Sequence, residues 1–456
     1  MPRIVAIALV SLCLFSSPTV GQVAPDASAR WHEVLGPPQA QLPTPLEKVT
    51  WRSDLRGAME QARRENRPLF VTMRCMPCKQ CSAFDKGVLE GGPELDPLLK
   101  QFVTVRLIDV QDVDLRLFPM EGFQDFDLSW WGWCLSPQGQ VYGVFGGRDH
   151  VSDETRISVP ALANTLRRVL AHHYDPRRAG WNVDGPVPNL DGQPLTPKKL
   201  PGHDSWLSKT HEEVRKQTCI HCHQVGEIVR QPAVDMKQFD KRRDFDVWPL
   251  PENVGLTLDR DHGLRVTKVE PGSAADKAGI RPGDELGAAG GRRLFSQADF
   301  RGVLHRGPRG AGTIDAHWLR AGKLHSGDLH VTEGWRKTVL DWRMTVSQGN
   351  AGGEPAFFPL PVNAQKRKQR NIPDGVMAVE PFLGPNPSGP ACAAGVRGND
   401  VVTAVGGESP NVAGRAFLVW FKMHYEPGDQ VTVTLKNPAG QERKVSYRLP
   451  NRAAGE

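Results

Sequence analysis

Arg74-Cys75-Met76-Pro77-Cys78-Lys79-Gln80-Cys81 is the stretch that decides how this chain is read. It follows Leu69–Met73, an apolar run that reads as a buried strand, and it leads into residues that read as a helix. A Cys-x-x-Cys where a strand gives way to a helix puts its leading thiol at the positive end of the helix dipole, which lowers its pKa and makes it a nucleophile. Arg74 adds a cation beside it, and Pro77 stiffens the intervening loop. Cys78 can then attack a mixed disulfide at short range and release the product. The catalytic candidates are Cys75 and Cys78, with Cys81 three residues on and on the same helical face as a third thiol. Three readings stay open: thiol redox with Cys81 as a relay, a structural disulfide, and a Cys-x-x-Cys-x-x-Cys metal site with Cys134 as fourth ligand.

With a helical segment over 55–64 and a strand before it, Cys75-Met76-Pro77-Cys78-Lys79 resembles the active site of thioredoxin-like proteins. The resemblance covers residues 50–173. Within it, 102–110 reads as the next strand, 130–136 and 141–145 as a hairpin turning at Pro137-Gln138-Gly139-Gln140, and 159–172 as a closing amphipathic helix. That is the thioredoxin order. Two positions depart from the pattern. The buried acid that the family carries six positions before the first active cysteine is Leu69 here, and the cis-proline position falls at Ser129-Trp130-Trp131.

Arg3 followed by the apolar residues 4–15 and the small residues near Gly21 reads as a secretory signal peptide, which places the protein in the periplasm or outside the cell. No later apolar run is long enough for a transmembrane helix. The 456 residues suggest several domains, and 46 Gly with 38 Pro point to β-rich modules joined by linkers. Residues 22–46 read as a flexible Pro/Ala-rich leader and 180–202 as a semi-extended linker. The formal charge of +6 is slight for this length and gives no nucleic-acid or membrane signal, and the basic run from Lys366 to Arg370 reads as a solvated face.

A second motif, Cys219-Ile220-His221-Cys222-His223, has the spacing that lets two thiols form thioethers to haem vinyls while the next histidine ligates the iron. It resembles a c-type cytochrome attachment site, which implies covalent haem c on Cys219 and Cys222 with His223 as proximal ligand. Met236, His203 and His211 are the candidates for the distal side. A zinc-type metal bound by the same thiols with His223, or a plain disulfide, are the alternatives. The segment is shorter than a standard cytochrome c fold, so neighbouring domains would have to cover part of the haem.

From Trp248 the pattern changes to short alternating strands and Gly-rich turns. Asn253-Val254-Gly255-Leu256-Thr257-Leu258, then Leu264 to Val269, then Pro271-Gly272-Ser273-Ala274-Ala275 through Gly283-Asp284-Glu285-Leu286, closely resemble a bacterial PDZ domain. The resemblance implies capture of extended peptide ends at a sheet edge, with Asn253, Val254, Gly255, Leu256 and Thr257 as groove residues. Ala391-Cys392-Ala393-Ala394-Gly395 through Val402 repeats Ala275 to Leu286 at a spacing of 116 residues, so a second, fainter copy is expected, opening near Phe357-Phe358-Pro359-Leu360. No Gly-x-Ser-Gly-Gly or Gly-x-Ser-x-Gly is present, which excludes a serine-hydrolase site of the usual kind.

The order of these parts resembles the bacterial Trx7/PDZ domain-containing (seleno)protein family, with cysteine wherever the family carries selenocysteine. The expected fold is multidomain α/β plus mainly-β. It comprises a signal peptide (1–21), leader (22–48), thioredoxin-like domain (49–178), linker (179–201), short helical haem-c segment (202–247) and two PDZ-like partly open β-barrels (248–335 and 336–450). The expected function is an exported thiol-disulfide redox protein with a covalent c-type haem for electron transfer. Its PDZ modules would recruit envelope proteins or peptide C-termini beside its redox partner proteins. The other expectation is a non-enzymatic PDZ scaffold or haem-based sensor of the cell envelope with structural cysteines.

Overall fold

A computed structural model describes residues 27–74, 82–118, 125–128, 130–147, 157–210, 220–384 and 388–451. The signal-peptide residues, residues 75–81, His211 and Cys219 lie outside the described residues. Part of the leader is folded, against expectation. Helix α1 (Ala27–Val34) buries Trp31 and Val34 against Trp181 and Ala288, because two apolar anchors within a Pro/Ala-rich stretch are enough to dock it.

Asp54 caps helix α2 (Leu55–Glu65), its carboxylate accepting the Arg56 and Gly57 N–H groups at 3.1 Å. Strand β1 (Leu69–Met73) runs into the described end at Arg74, and helix α3 (Ser82–Glu90) resumes the chain. Strands β2 (Val103–Leu107), β3 (Trp130–Leu135) and β4 (Val141–Gly147) complete a sheet of order β2-β1-β3-β4, in which only β1 and β2 are parallel. Helix α4 (Val159–His173), capped by Ser158, closes the unit. Every β1 residue is buried, since both faces of the sheet are covered and alternate side chains serve opposite cores. Phe70, Trp130 and Phe145 pack with Leu162 and Leu166 of α4, whereas Val71, Met73, Val105 and Trp133 pack with Met59 and Ala62 of α2.

The segment after Gly180 is extended but not a free linker. It lies along the thioredoxin unit, with Leu115 N–H bonded to Leu195 O (2.8 Å) and Gln140 Nε2 to Gly185 O (2.8 Å). Helices α5 (His203–Lys209) and α6 (Cys222–Asp235) follow, and their Trp206, Val225 and Ile228 enter the core on the α2 face of the sheet. Cys222 of the second motif therefore shares a core with β1, the strand that leads to the first.

The next module pairs β5 (Leu256–Leu258) with β6 (Val266–Val269), then adds α7 (Ala274–Ala278). Strands β7 (Glu285–Ala289), β8 (Arg292–Arg293), β9 (Gly312–Arg320) and β10 (Lys323–Val331) form a sheet of order β10-β9-β7-β8, with helix α8 (Gln297–Arg306) packed on its core. After α9 (Met344–Ser347), the last module arranges β11 (Phe358–Pro361), β12 (Val379–Phe382), β13 (Val401–Val405), β14 (Gln430–Lys436) and β15 (Glu442–Arg448) in that order, with α10 (Pro390–Ala393) and α11 (Gly414–His424) against it.

The repeat seen in the sequence is built twice in space. Gly279 and Gly395 end α7 and the turn after α10 at φ of 87° and 104°, where a side chain would be strained. Asp284 and Asp400 then accept the N–H of Arg281 and Arg397 at 2.8 Å, and each carboxylate also binds an arginine, Arg320 or Arg443. In the basic run, Lys366 pairs with Glu380 while Arg367 and Arg370 donate to the Val376 and Lys436 carbonyls, so those cations serve the module itself.

The modules are joined by charge buried between them. Asp125 and Asp127, from the thioredoxin unit, bind Arg343 at 2.9 and 3.0 Å, and Arg301 of α8 binds Asp125 at 2.6 Å. Arg343 has no exposed surface, and Thr345 gives both its N–H and its hydroxyl to Asp127 at 2.7 Å. Burial alone would raise the Asp125 pKa, but Arg343 and Arg301 outweigh it and hold the carboxyl below the usual range. Alongside, Asp299 of α8 accepts the β4 amide of Val144 at 2.8 Å, and Arg293 donates to His172 Nδ1 at 3.0 Å.

Removing one partner from a buried ion network costs about 3–5 kcal/mol, so Arg343→Met is expected to lower the thermal unfolding midpoint by several degrees in calorimetry. An unchanged midpoint would show that the cluster is idle. Burial also pushes the pKa of His172 and His173 down to about 4 and that of His305 to about 3, from an ordinary 6.5. The unfolded chain binds those protons below pH 6.5 and the folded one does not, so their stabilisation is full above pH 6.5 and is lost as the pH falls toward 4. Unfolding midpoints should fall through that window, and His172→Gln should make the fall shallower.

Candidate redox and partner-binding sites

The chain leaves β1 at Arg74, whose N–H bonds Leu107 O (3.1 Å), and re-enters at Ser82, so Cys75, Cys78 and Cys81 lie in the connection outside the described residues. Leu69 is buried at the other end of β1 and supplies no acid. A buried carboxylate comes instead from Asp85 in the first turn of α3. It accepts from Arg106 Nη2 (2.7 Å), Arg74 Nη1 (3.4 Å) and Trp130 Nε1 (3.2 Å). The guanidinium beside the leading cysteine is thereby tied to the helix that follows the motif. Sequence reasoning missed Asp85, though an acid four residues past Cys81 on a helix was the available signal.

Cys134, expected as a fourth metal ligand, is turned into the core on the α4 face of the sheet. It sits opposite Phe70 in the register of β3 on β1, about 13 Å along the strand from Arg74. It packs in the α4-side core with Phe70 and Phe145, where burial, helped by Asp299, pushes its thiol far above the ordinary range.

In the second motif, Cys222 begins α6 with its side chain buried in the α2-side core, and the His221 N–H is capped by Gln224 Oε1 (2.7 Å). His223 turns Nδ1 to Glu227 Oε1 (3.3 Å), and the other oxygen of Glu227 accepts from Trp206 Nε1 (2.9 Å). Burial would raise the Glu227 pKa, but His223, Arg230 and Trp206 together hold it low. A histidine whose Nδ1 is held by a buried carboxylate presents Nε2 as a metal ligand, so the donor set fits an axial ligand. Met236 does not fit opposite it. It is the C-cap of the same helix, about 20 Å from His223 at 1.5 Å per residue, and its side chain is 59% exposed. His203, on α5, bonds its neighbour Asp204 at 2.9 Å. Among the described residues no group of three or more His, Cys, Asp or Glu could hold a metal ion, and no helix is long and apolar enough to cross a membrane.

In the first PDZ-like module, the expected groove residues divide. Residues Pro251–Val254 form a 3-10 turn rather than strand, and Val254 and Leu256 are buried in the module's core. Asn253 spends its Nδ2 on the carbonyls of Trp335 and Lys337 (2.8 and 2.7 Å), while Trp335 packs in the same core. Gly255 has φ 87°, and a Cβ there would lie 2.1 Å from Ser273 Cβ, so only glycine fits. Thr257 is half-buried in β5, paired with Lys268, and the second edge of β5 has no strand partner among the described residues. Of the five named residues, then, Asn253, Val254, Gly255 and Leu256 serve the module's own structure.

Residues 50–122 match the thioredoxin-like family Thioredoxin_7, and residues 265–311 match a PDZ domain family. No curated protein matches the chain. Among solved structures, an "HtrA-type protease AlgW with decapeptide" is similar at 13% identity and a TM-score of 0.19, over 30% of this chain and 40% of that chain.

Asp85→Asn removes the carboxylate that Arg74 and Arg106 share. Because both cations reach solvent, a loss of about 2 kcal/mol is expected in the unfolding free energy, with Asp85→Glu losing less. The chain carries a thioredoxin-like domain followed by a PDZ domain, the two modules that the Trx7/PDZ domain-containing (seleno)protein family combines.

Proposed function

We propose that this chain is an exported thiol-disulfide redox protein that carries a c-type haem for electron transfer and uses its PDZ modules to recruit protein partners. The observation that carries the reading is Cys75-Met76-Pro77-Cys78 at the exit of β1, within a domain matched as thioredoxin-like. The Cys75 thiolate attacks one sulfur of a partner disulfide, forming a mixed disulfide and releasing the other sulfur as thiolate. Cys78 then attacks the Cys75 sulfur, closing the Cys75–Cys78 disulfide and releasing the second thiolate. Two electrons pass to the partner, and the two protons of the protein dithiol balance the two new thiols. In reverse, the same steps oxidise a partner dithiol.

Cys219 and Cys222 would hold the haem through thioethers, with His223 Nε2 toward the iron and Glu227 fixing the ring through Nδ1. Bound there, the haem would supply one-electron transfer. The apolar residues 4–15 behind Arg3 support export, and an exported location permits both disulfides and covalent haem.

The test uses protein exported from a host with cytochrome c maturation machinery. Wild type should reduce insulin disulfides with dithiothreitol as electron source, and Cys75→Ser should lower the rate by at least about a hundredfold. A Soret band that stays with the protein through acid-acetone extraction, with sharp reduced α and β bands, is expected alongside. An unchanged rate in Cys75→Ser removes the redox assignment and leaves the scaffold or sensor with structural cysteines. A colourless protein removes the haem.

A further inference from the structure

The two PDZ-like modules begin alike. A residue at positive φ, Gly255 (87°) or Ala356 (60°), precedes a buried side chain, Leu256 or Phe357, and a short strand then pairs antiparallel with the next one, β5 with β6 and β11 with β12. Helices α8 and α11 follow at matching places, before β9 and β14. An extended peptide added to either module would lie along the edge of β5 or β11 that faces away from its partner strand. In β5, Glu270 N bonds Gly255 O (2.8 Å) and Asp259 N bonds Arg265 O (2.8 Å), so the odd-numbered residues face β6. Leu256 and Leu258 turn both N–H and C=O to the other edge, where neither has a backbone partner among the described residues.

Strand β11 alternates in the same way with the opposite consequence. Pro359 stands opposite Pro381 in the register, and neither has an N–H to exchange, so theirs is not one of the hydrogen-bonded pairs of the ladder. The bonded pairs are Phe358 with Phe382 and Leu360 with Glu380, and Pro359 and Pro361 present bare carbonyls to the free edge. From 357 to 361 that edge has one donor, the Phe357 N–H, where a docked strand needs one at every second residue. A peptide laid along it would bury carbonyls with nothing to donate to them. Helix α11 is committed as well. Its Val419 and Met423 pack with Phe245 and Val346, and the Lys241 ammonium donates to the carbonyls of Lys422 (2.6 Å) and Tyr425 (2.9 Å) at its C-terminal end, so α11 grips the segment that follows α6.

We infer that strand addition of a partner peptide is confined to the first PDZ-like module, so that the chain takes one peptide end, while the last module, closed by Pro359 and Pro361, anchors the segment after α6. The inference rests on the partner-recruiting part of the proposed function and narrows it to one of two sites. Pro359 occupies in β11 the place that Leu258 occupies in β5, two residues past the residue at positive φ and the buried side chain that follows it. That one backbone N–H separates a strand edge that can pair from one that cannot.

The test is photo-cross-linking on the full chain, read by mass spectrometry. The probe is a pool of decapeptides with a free C-terminal carboxylate, random over the last four positions and carrying p-benzoylphenylalanine at the position before them. Cross-links that an excess of unlabelled pool displaces are expected within residues 248–335, at least about tenfold above those within 336–450. Pro359→Val combined with Pro361→Thr restores both donors in residues suited to a strand, and should raise the displaceable cross-links within 336–450 at least about tenfold at the wild-type unfolding midpoint. Should that double variant unfold, the wild-type distribution decides alone. Displaceable cross-links within 336–450 of the wild type, or a folded double variant that gains none, overturn the inference and leave partner recruitment standing. Displaceable cross-links in neither module overturn partner recruitment itself, and the inference with it.

Discussion

Arg343 is a guanidinium with no exposed surface, and a charge in that position has to be neutralised where it sits. The neutralising carboxylates, Asp125 and Asp127, belong to the thioredoxin unit. The second cation on Asp125 comes from α8 of the first PDZ-like module, and Arg343 itself lies on the stretch leading to the last one. Each module thus supplies a charge to one shared network. Desolvating these charges offsets most of their mutual attraction, so the network fixes relative position more than it adds stability. Trp342 covers it, with the Arg343 guanidinium 4.4 Å and that of Arg301 5.7 Å from the ring centroid.

The same joint decides what the α8 helix can do. In a freestanding PDZ module the corresponding helix is one wall of the peptide groove. Here its first turn is engaged by β4 through Asp299 and the Ser296 hydroxyl, which donates to Val144 O. Its last turn is held by Arg336, which donates to the carbonyls of Leu304, His305 and Gly307. Tied at both ends, α8 is fixed against β4 and the segment around Arg336.

The strand that leads to the first cysteine motif and the start of the second lie on one core. Met73, one residue before Arg74, and Cys222, at the start of α6, belong to the same apolar cluster. The Cys-x-x-Cys-His segment is too short to build a core of its own and borrows one, with Trp206, Val225 and Ile228 filling the face that α2 leaves uncovered. Glu227 could be buried there because Trp206 and His223 both donate to it.

Much was legible before any coordinates. The β1 strand and the helices on either side, the β3–β4 hairpin, the closing helix and the repeated Ala-Gly-Asp turn follow from periodicity and from turn residues, which act over a few neighbours. Both cysteine motifs are likewise local patterns. What eluded the sequence was long-range. Asp85 looked like one helical acid among many, the leader and linker looked unanchored, Met236 looked available as a ligand, and Cys134 looked like a companion to the other thiols. The Asp125–Arg343 cluster joins residues more than two hundred positions apart, and no local pattern announces it. The sequence by itself determined the modules and located the two cysteine motifs, because hydrophobic period, capping and motif spacing are properties of short segments. Only the tertiary structure decided which acid is buried, which cysteine is sealed in a core and which sheet edge stays open, because burial and charge pairing depend on what the rest of the chain brings alongside.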